Sequence, residues 1–385
     1  MQLDQLTIYV LTALFTIIAG GVTLASGTRE GVAGWRSFWG GGYVMLGIGM
    51  AVFDLPALDR AFRVSAGAIL TLCGAVLVTQ GVRLLAGRNP HSPRLVAALL
   101  AVSLVPLLSH DPAHRLQRIA YIDYTMMIAD IWAAVTALRL ARHERLRTAW
   151  MLGGTFVLTA VIGFGRGSLS GAVALGMSSH FDFLNNSWMA MALAACWPMR
   201  GNLPTLVAAE RAERALLRLA TEDALTGALN RTGLNRLRAR MTGCAGLILI
   251  DLDHFKTLND RMGHAEGDRT LQLVAAAVRE VGVPGSRFAR LGGDEFLLVL
   301  PGRSLALTAQ TADRVRAAVE EAVLTHRRSD SGRSGDLPPV TASIGVASGN
   351  VAGEGFDRLL AEADEALYRS KRAGRNQVSL VRDAA

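Results

Sequence analysis

Apolar segments about as long as a bilayer is thick recur through the first half of this chain, and no other feature limits its fold as strongly. Seven candidate spans run at about 6–26, 35–53, 64–82, 93–109, 119–138, 148–166 and 172–197, each near the ~20 residues that a membrane helix needs. Pro106, Gly163 and the polar run from Ser178 to Ser187 interrupt the fourth, sixth and seventh. The chain of 385 residues is 51% hydrophobic, with a mean hydropathy of +0.30. That is too apolar for one soluble domain. The excess is uneven, because all six Trp precede residue 200, whereas residues 205–385 have ordinary soluble composition. The expected fold is an α-helical membrane bundle followed by an α/β domain.

The net charge of +8 does not point to nucleic acid. Much of it sits in short loops, where it sets membrane topology, and the aromatic-basic interleaving of a single-strand binder is missing. Arg83, Arg88 and Arg94 fall between spans three and four, Arg139, Arg142, Arg145 and Arg147 between five and six, and Arg200 after seven. The positive-inside rule then puts the N-terminus outside and the C-terminal half in the cytoplasm, as in a multi-pass protein of the inner (cytoplasmic) membrane. Trp35, Trp39, Trp150 and Trp197 stand near span ends, as interfacial anchors do. The start of the chain lacks a basic run, so the first segment reads as a retained span and not as a cleaved signal. Cys73, Cys196 and Cys244 have no disulfide or zinc spacing. Asp123, Asp130, Arg166, His180 and Asp182 fall within spans. Charge there must face the bundle interior, a partner or water, either as a ligand or ion site or as interhelical hydrogen bonding.

Residues 1–200 thus form the sensory membrane domain, 201–222 a connector and 223–385 the soluble domain. Pro204 ends the first. Glu210 to Leu219 reads as a charged helix with a Glu210/Arg214 pair at i,i+4, serving either as a plain linker or as a dimerising coiled coil.

The soluble part alternates. Leu247 to Ile250 is a continuous apolar run, hence a central strand covered on both faces. Helices are marked by Leu234/Leu237/Met241, Leu271/Val274/Val278, Ala312/Val315/Val319 and Leu359/Ala363/Leu367. Phe288–Leu291 and Phe296–Leu300 make a hairpin around Gly292-Gly293, glycines suited to a tight turn with positive φ. Arg327 to Pro339 is a polar loop, and Val340–Ala347 and Gln377–Val381 are further strands. The result is a mixed sheet flanked by helices.

Asp294 and Glu295 stand side by side on the hairpin turn, where adjacent carboxylates repel unless a cation intervenes. Asp251 ends the central strand, so the three meet if the strands are neighbours. Carboxylates converging beside phosphate-approachable backbone suit Mg²⁺. Lys256 follows, and Lys371 and Arg375 lie one turn apart, suited to phosphate oxygens. Lys256 and Lys371 are the only two Lys among 40 basic residues, as if a compact ammonium were needed at those places.

Six motifs, in order, now resemble the GGDEF domain of the diguanylate cyclase family over residues 223–376. They are Asp223-Ala-Leu-Thr-Gly-Ala-Leu-Asn-Arg231, Asp251-Leu-Asp-His-Phe-Lys256-Thr-Leu-Asn259-Asp, Gly263-His-Ala-Glu-Gly-Asp268, Gly292-Gly-Asp-Glu-Phe296, Ser343-Ile-Gly-Val-Ala347 and Ala363-Asp-Glu-Ala-Leu-Tyr-Arg-Ser-Lys371-Arg-Ala-Gly-Arg375-Asn376. The resemblance implies that two GTP condense to cyclic di-GMP with loss of two pyrophosphates, in a head-to-tail homodimer, for effectors downstream. It implies that Asp251, the Leu252 carbonyl and Asp294 ligate Mg²⁺ (or Mn²⁺). Asp294 or Glu295 would act on the 3′-hydroxyl proton, and Lys256, Lys371 and Arg375 would hold the triphosphate. Asn259 and Asp268 would read guanine, and Gly292 and Gly293 would let the backbone approach the nucleotide.

Two departures stand out. Ala228 replaces the usual Leu of the first motif, and Val283-Pro-Gly-Ser286 stands where the family's product-inhibition Arg-x-x-Asp is expected. That form of inhibition is therefore expected to be absent. No second, product-hydrolysing domain is expected after Asn376. The rival readings are a catalytically silent nucleotide-binding receptor or scaffold, and a transporter with a regulatory tail.

Overall fold

The computed structural model describes residues 5–26, 34–53, 55, 57–91, 96–97, 101–102, 114–177, 187–329 and 339–381. The chain divides into two compact units, Met1–Glu213 and Arg214–Ala385. Most of the expected fourth span, His180, Asp182 and residues 330–338 of the polar loop lie outside the described residues.

In the first unit the described helices are α1 (Gln5–Ser26), α2 (Trp35–Phe53), α3 (Arg60–Leu85), α4 (Arg115–Glu144), α5 (Arg147–Ala174) and α6 (Ser187–Thr221). Four helices are long and apolar enough to cross a membrane: Tyr9–Ser26, Arg60–Leu85, Arg115–Glu144 and Arg147–Ala174. The helical character of this half stands, but among the described residues the count is four and not seven. The expected span at 172–197 is not one helix. α5 runs to Ala174 and is closed by Gly176 at φ +70, whose N–H bonds the Val173 carbonyl, a left-handed helix stop that glycine takes without steric cost.

α2 and α3 pack closely because glycines face each other. A Cβ on Gly42 would stand 2.7 Å from the Gly74 carbonyl oxygen, the small-residue contact that lets membrane helices touch. α6 runs unbroken through Pro198 and Pro204, so Pro204 does not end a helix. A proline removes one backbone donor, and α2 adds side-chain donors to the α6 backbone beside these prolines. Trp39 Nε1 donates to the Gly201 carbonyl at 3.2 Å, and the Tyr43 hydroxyl to the Trp197 carbonyl at 3.4 Å. Trp39 is therefore wholly buried, stacked on Tyr43 and edge-on to Phe156, and is no interfacial anchor.

Arg200 also departs from its expected place in a loop. Its guanidinium is buried, donating to Asp130 Oδ1 at 3.0 Å, to Thr159 Oγ1 at 3.1 Å and to the Tyr43 hydroxyl at 3.0 Å, over the Phe156 ring. Arg166 similarly pairs with Asp123, its Nε donating to Oδ2 at 2.8 Å. Of the ionisable residues expected in spans, the described ones thus form ion pairs between helices, Asp123 with Arg166 and Asp130 with Arg200. Glu210 accepts from the Thr148 N–H and hydroxyl, while Arg211 pairs with Glu144.

The second unit contains α7 (Arg231–Arg238), β1 (Cys244–Leu252), α8 (Phe255–Met262), α9 (His264–Glu280), β2 (Arg287–Gly292), β3 (Glu295–Pro301), α10 (Leu305–Ser329), β4 (Ala342–Asn350), α11 (Gly355–Arg372) and β5 (Val378–Leu380). The sheet order is β2-β3-β1-β4-β5, antiparallel except for the parallel β4–β5 pair. This is the mixed sheet expected, with β1 at its centre. Alternate β1 side chains enter opposite cores. Ile248 and Ile250 pack with Leu271, Val274 and Val315 of α9 and α10. Leu247 and Leu249 pack with Leu234 of α7 and with Leu359, Ala363 and Leu367 of α11. α8, which the periodicity did not mark, follows β1 directly.

Candidate active site

The central strand and the hairpin deliver the carboxylates to one end of the sheet. Asp251 lies opposite Glu295 in the β1–β3 register, and the Leu252 N–H donates to the Asp294 carbonyl at 3.3 Å. The turn between β2 and β3 is left-handed at Gly293, φ +47, but not at Gly292, so one glycine and not both has positive φ. A bulge between Arg290 and Gly292 precedes it, re-aiming the tip.

Period 2 puts Asp251 on the same face as Leu247 and Leu249, toward α11, and Lys371 in the last turn of α11 meets it at 2.7 Å (Nζ–Oδ2). Burial pushes the Asp251 carboxyl above the usual carboxylate range. The Lys371 ammonium pulls it back, and the charges of Asp294 and Glu295 push it up again. The three carboxylates therefore act on one space. Neither the Asp294 nor the Glu295 side chain has an ion-pair partner among the described residues. Among the described residues no group of three or more His, Cys, Asp or Glu side chains could hold a metal ion by itself. Two carboxylates and a backbone oxygen, open to water and phosphate, fit a hard divalent cation such as Mg²⁺, which is rarely caged by protein alone.

Lys256 is exposed on the first turn of α8, and Arg375 is half exposed just past α11. Asn259 lies on α8 and packs against Gly267 of α9, where a Cβ would fall 1.8 Å from Asn259 Oδ1. That buried oxygen has no hydrogen-bond partner, an acceptor left for something outside the chain. Asp268, the next residue, is exposed and lines a cleft with Leu225, Arg269 and Gln272.

Three bracing residues, to which the sequence assigned no role, hold the turn. Arg290 donates from Nε and Nη2 to the Gly293 carbonyl at 3.0 and 2.7 Å and from Nη1 to Asp223. Asp223 accepts from the Thr226 N–H and hydroxyl, and Arg231 donates to the Leu291 carbonyl at 2.8 Å. Together they border a cleft of ≈ 320 Å³ behind the turn. Burial raises the Asp223 carboxyl, but the Thr226 and Arg290 donors outweigh it and hold it below the usual range. Asp223 and Arg290 are 67 residues apart, and nothing local in the sequence pairs them.

The diguanylate cyclase GGDEF domain family matches residues 220–377. These residues are a GGDEF domain. Diguanylate cyclase DgcP of Pseudomonas aeruginosa is 38% identical over 172 residues, 42% of this chain and 24% of that protein. Diguanylate cyclase VdcA of Vibrio cholerae is 39% identical over 132 residues, 34% of this chain and 38% of that protein. The chain thus spans well under half of either relative. The solved GGDEF domain of DgcB from Caulobacter crescentus, in complex with c-di-GMP, is 34% identical, covering 42% of this chain and 96% of that one with a TM-score of 0.36. The GGDEF match covers the sheet, the hairpin and α11, and none of the helices α1 to α5.

Proposed function

We propose that the chain is a membrane-anchored diguanylate cyclase that converts two GTP to cyclic di-GMP and two pyrophosphates. The observation that carries this is the β1–β3 register, which sets Asp251 beside the Asp294-Glu295 turn of the GGDEF domain. On this reading each 3′-oxygen bonds the α-phosphorus of the other GTP, and the bond from that phosphorus to the bridging oxygen of the departing pyrophosphate breaks. Asp294 or Glu295 takes the 3′-hydroxyl proton. Lys256, Lys371 and Arg375 bind the triphosphate oxygens. Asn259 and Asp268 accept from guanine's N1–H and 2-amino group, which adenine cannot reproduce. The Gly292-Gly293 backbone lies against the nucleotide. Asp251, the Leu252 carbonyl and Asp294 would hold Mg²⁺ or Mn²⁺. Such an ion neutralises charge building on the transferring phosphoryl group.

Each GGDEF domain holds one GTP, so the active form is a homodimer that aligns two domains head to tail. The N-terminal helices anchor the chain in the inner membrane, with the N-terminus outside and the GGDEF domain in the cytoplasm, and regulate the dimer. Without charged residues at Val283 to Ser286, product does not inhibit through that segment. Adding cyclic di-GMP to initial-rate assays should leave kcat unchanged, and inhibition non-competitive with GTP would contradict this.

The test is the full-length protein in membranes, given GTP and Mg²⁺ and assayed for cyclic di-GMP and pyrophosphate beside Asp294→Ala/Glu295→Ala. Product from the first and none from the second is expected. GTP binding without product from either would favour the receptor reading instead.

A further inference from the structure

Asp251 and Asp253 look interchangeable in the sequence, two carboxylates two residues apart at the end of one strand. The structure treats them differently. Asp251 Oδ2 meets Lys371, and its Oδ1 has no protein donor among the described residues. Asp253 is buried, and protein donors occupy both of its oxygens. Oδ1 accepts from the Ser343 hydroxyl at 2.7 Å, and Oδ2 from the Thr341 hydroxyl at 2.7 Å and the Asn376 N–H at 3.1 Å. Its own N–H bonds the Thr341 carbonyl at 2.8 Å. A carboxylate so enclosed has little room left for an ion.

The loop that Asp253 grips is unusual. Gly374, Arg375 and Asn376 are consecutive residues at positive φ, +118, +64 and +45. Two of them are not glycine, and such backbone persists only where its surroundings hold it. Asn376 is held three ways: its N–H by Asp253, its Oδ1 by Arg316 at 3.0 Å and its Nδ2 by Glu320 at 2.9 Å. Arg375 is thereby turned so that its Nε stands 3.9 Å from Asp253 Oδ1 while half of its side chain faces solvent. Two rungs result, Asp251 with Lys371 and Asp253 with Arg375.

We propose that Asp253 is a positioning residue. It is not a metal ligand. It locks the 374–376 loop and parks the Arg375 guanidinium, with Lys371, over the place where the triphosphate binds. This deepens the cyclase reading and rests on it. Asp253→Asn keeps the shape and one of the two acceptor oxygens but removes the charge that holds Arg375.

Asp253→Asn, Arg375→Ala and the double variant are compared with wild type as full-length protein in membranes, for kcat, KM for GTP and Mg²⁺ half-saturation. Dissociation of a non-hydrolysable GTP analogue and melting temperature are measured beside them. Each single variant should raise KM about tenfold, the loss of one charge-assisted contact to phosphate, with kcat and the Mg²⁺ requirement nearly unchanged. The double should be no worse than Arg375→Ala alone, because Asp253 acts through Arg375. Additive losses, a shifted Mg²⁺ requirement in Asp253→Asn, or a lower melting temperature with KM unchanged would each overturn the proposal. If Asp253→Asn does not accumulate, Asn376→Gly takes its place; it keeps the left-handed backbone and drops the Arg316 and Glu320 contacts, and the same outcomes apply. If wild type makes no product, the cyclase reading fails and analogue affinity decides alone. A tenfold, non-additive loss upholds the clasp, and equal affinity in all four proteins refutes it.

Discussion

Gly345 in β4 is the position where one methyl group should cost most. A Cβ there would fall 2.0 Å from the Ala363 carbonyl oxygen and 2.4 Å from the Leu367 nitrogen, both backbone atoms of α11. Neither can rotate away, so the helix itself must lift. Restoring ordinary contact at 3.4 Å means a displacement of about 1.4 Å in a core packed as densely as a crystal. Overpacking of this kind costs about 1–3 kcal/mol, a fall of roughly 3–10 °C in the melting temperature of a domain this size. The catalytic effect should be larger. Lys371 sits one turn beyond Leu367, so its 2.7 Å contact with Asp251 opens to about 4 Å, where little of a hydrogen bond survives. Misplacement of a catalytic group by about 1 Å lowers rates roughly 10²-fold. Gly349→Ala is the control, because its Cβ would meet only the Leu359 side chain, at 3.0 Å. Melting curves and initial rates of Gly345→Ala and Gly349→Ala separate the two. Equal melting temperatures and rates for both would refute direct packing of α11 on β4.

Gly292→Ala should fold normally, since the nearest atom to the new Cβ is Arg231 Nη2 at 3.7 Å. KM for GTP should nevertheless rise about tenfold if nucleotide lies against this backbone; an unchanged KM would remove Gly292 from the binding site. Asp223→Asn should lower the melting temperature at pH 7. The Asp223 carboxyl is held below its usual range, so its stabilisation is full above the ordinary Asp value of about 4 and is lost as pH falls through the lowered one. The gap to wild type should close in acid, and a constant gap would contradict the Asp223–Arg290 bond. Asp130→Ala should destabilise the membrane unit by about 3–5 kcal/mol by leaving Arg200 buried alone. Asp130→Ala/Arg200→Leu should recover part of that in detergent melting experiments, and no recovery would mean that the pair is not the cause.

The GGDEF half was readable where physics is local. The continuous apolar run Leu247–Ile250 read as a central strand covered on both faces, and β1 does lie between two cores. The hairpin followed from its glycines, and the Asp251–Glu295 meeting followed once the two strands were neighbours. What stayed hidden depends on partners distant in sequence. Asp253 differs from Asp251 only through Thr341, Ser343 and Asn376. Arg290 carried no role in the sequence, because its partner Asp223 is distant along the chain. In the membrane half, spacing alone did not show that Trp39 and Tyr43 reach across from α2 to the α6 backbone.

Arg200 and Lys371 show why charge alone did not reveal function. Both are cations, and both face a carboxylate. Arg200 is 1% exposed and its partner Asp130 10%, with Tyr43 and Thr159 taking further bonds. Breaking that pair costs stability, and its enclosure leaves nothing for a ligand to do. Lys371 is 36% exposed and Asp251 13%. The ammonium can exchange a carboxylate for a phosphate oxygen without leaving its place, and the carboxylate then becomes free for a cation. The difference between architecture and chemistry here is access to solvent. That is set by how the helices close over each pair, which sequence spacing does not encode.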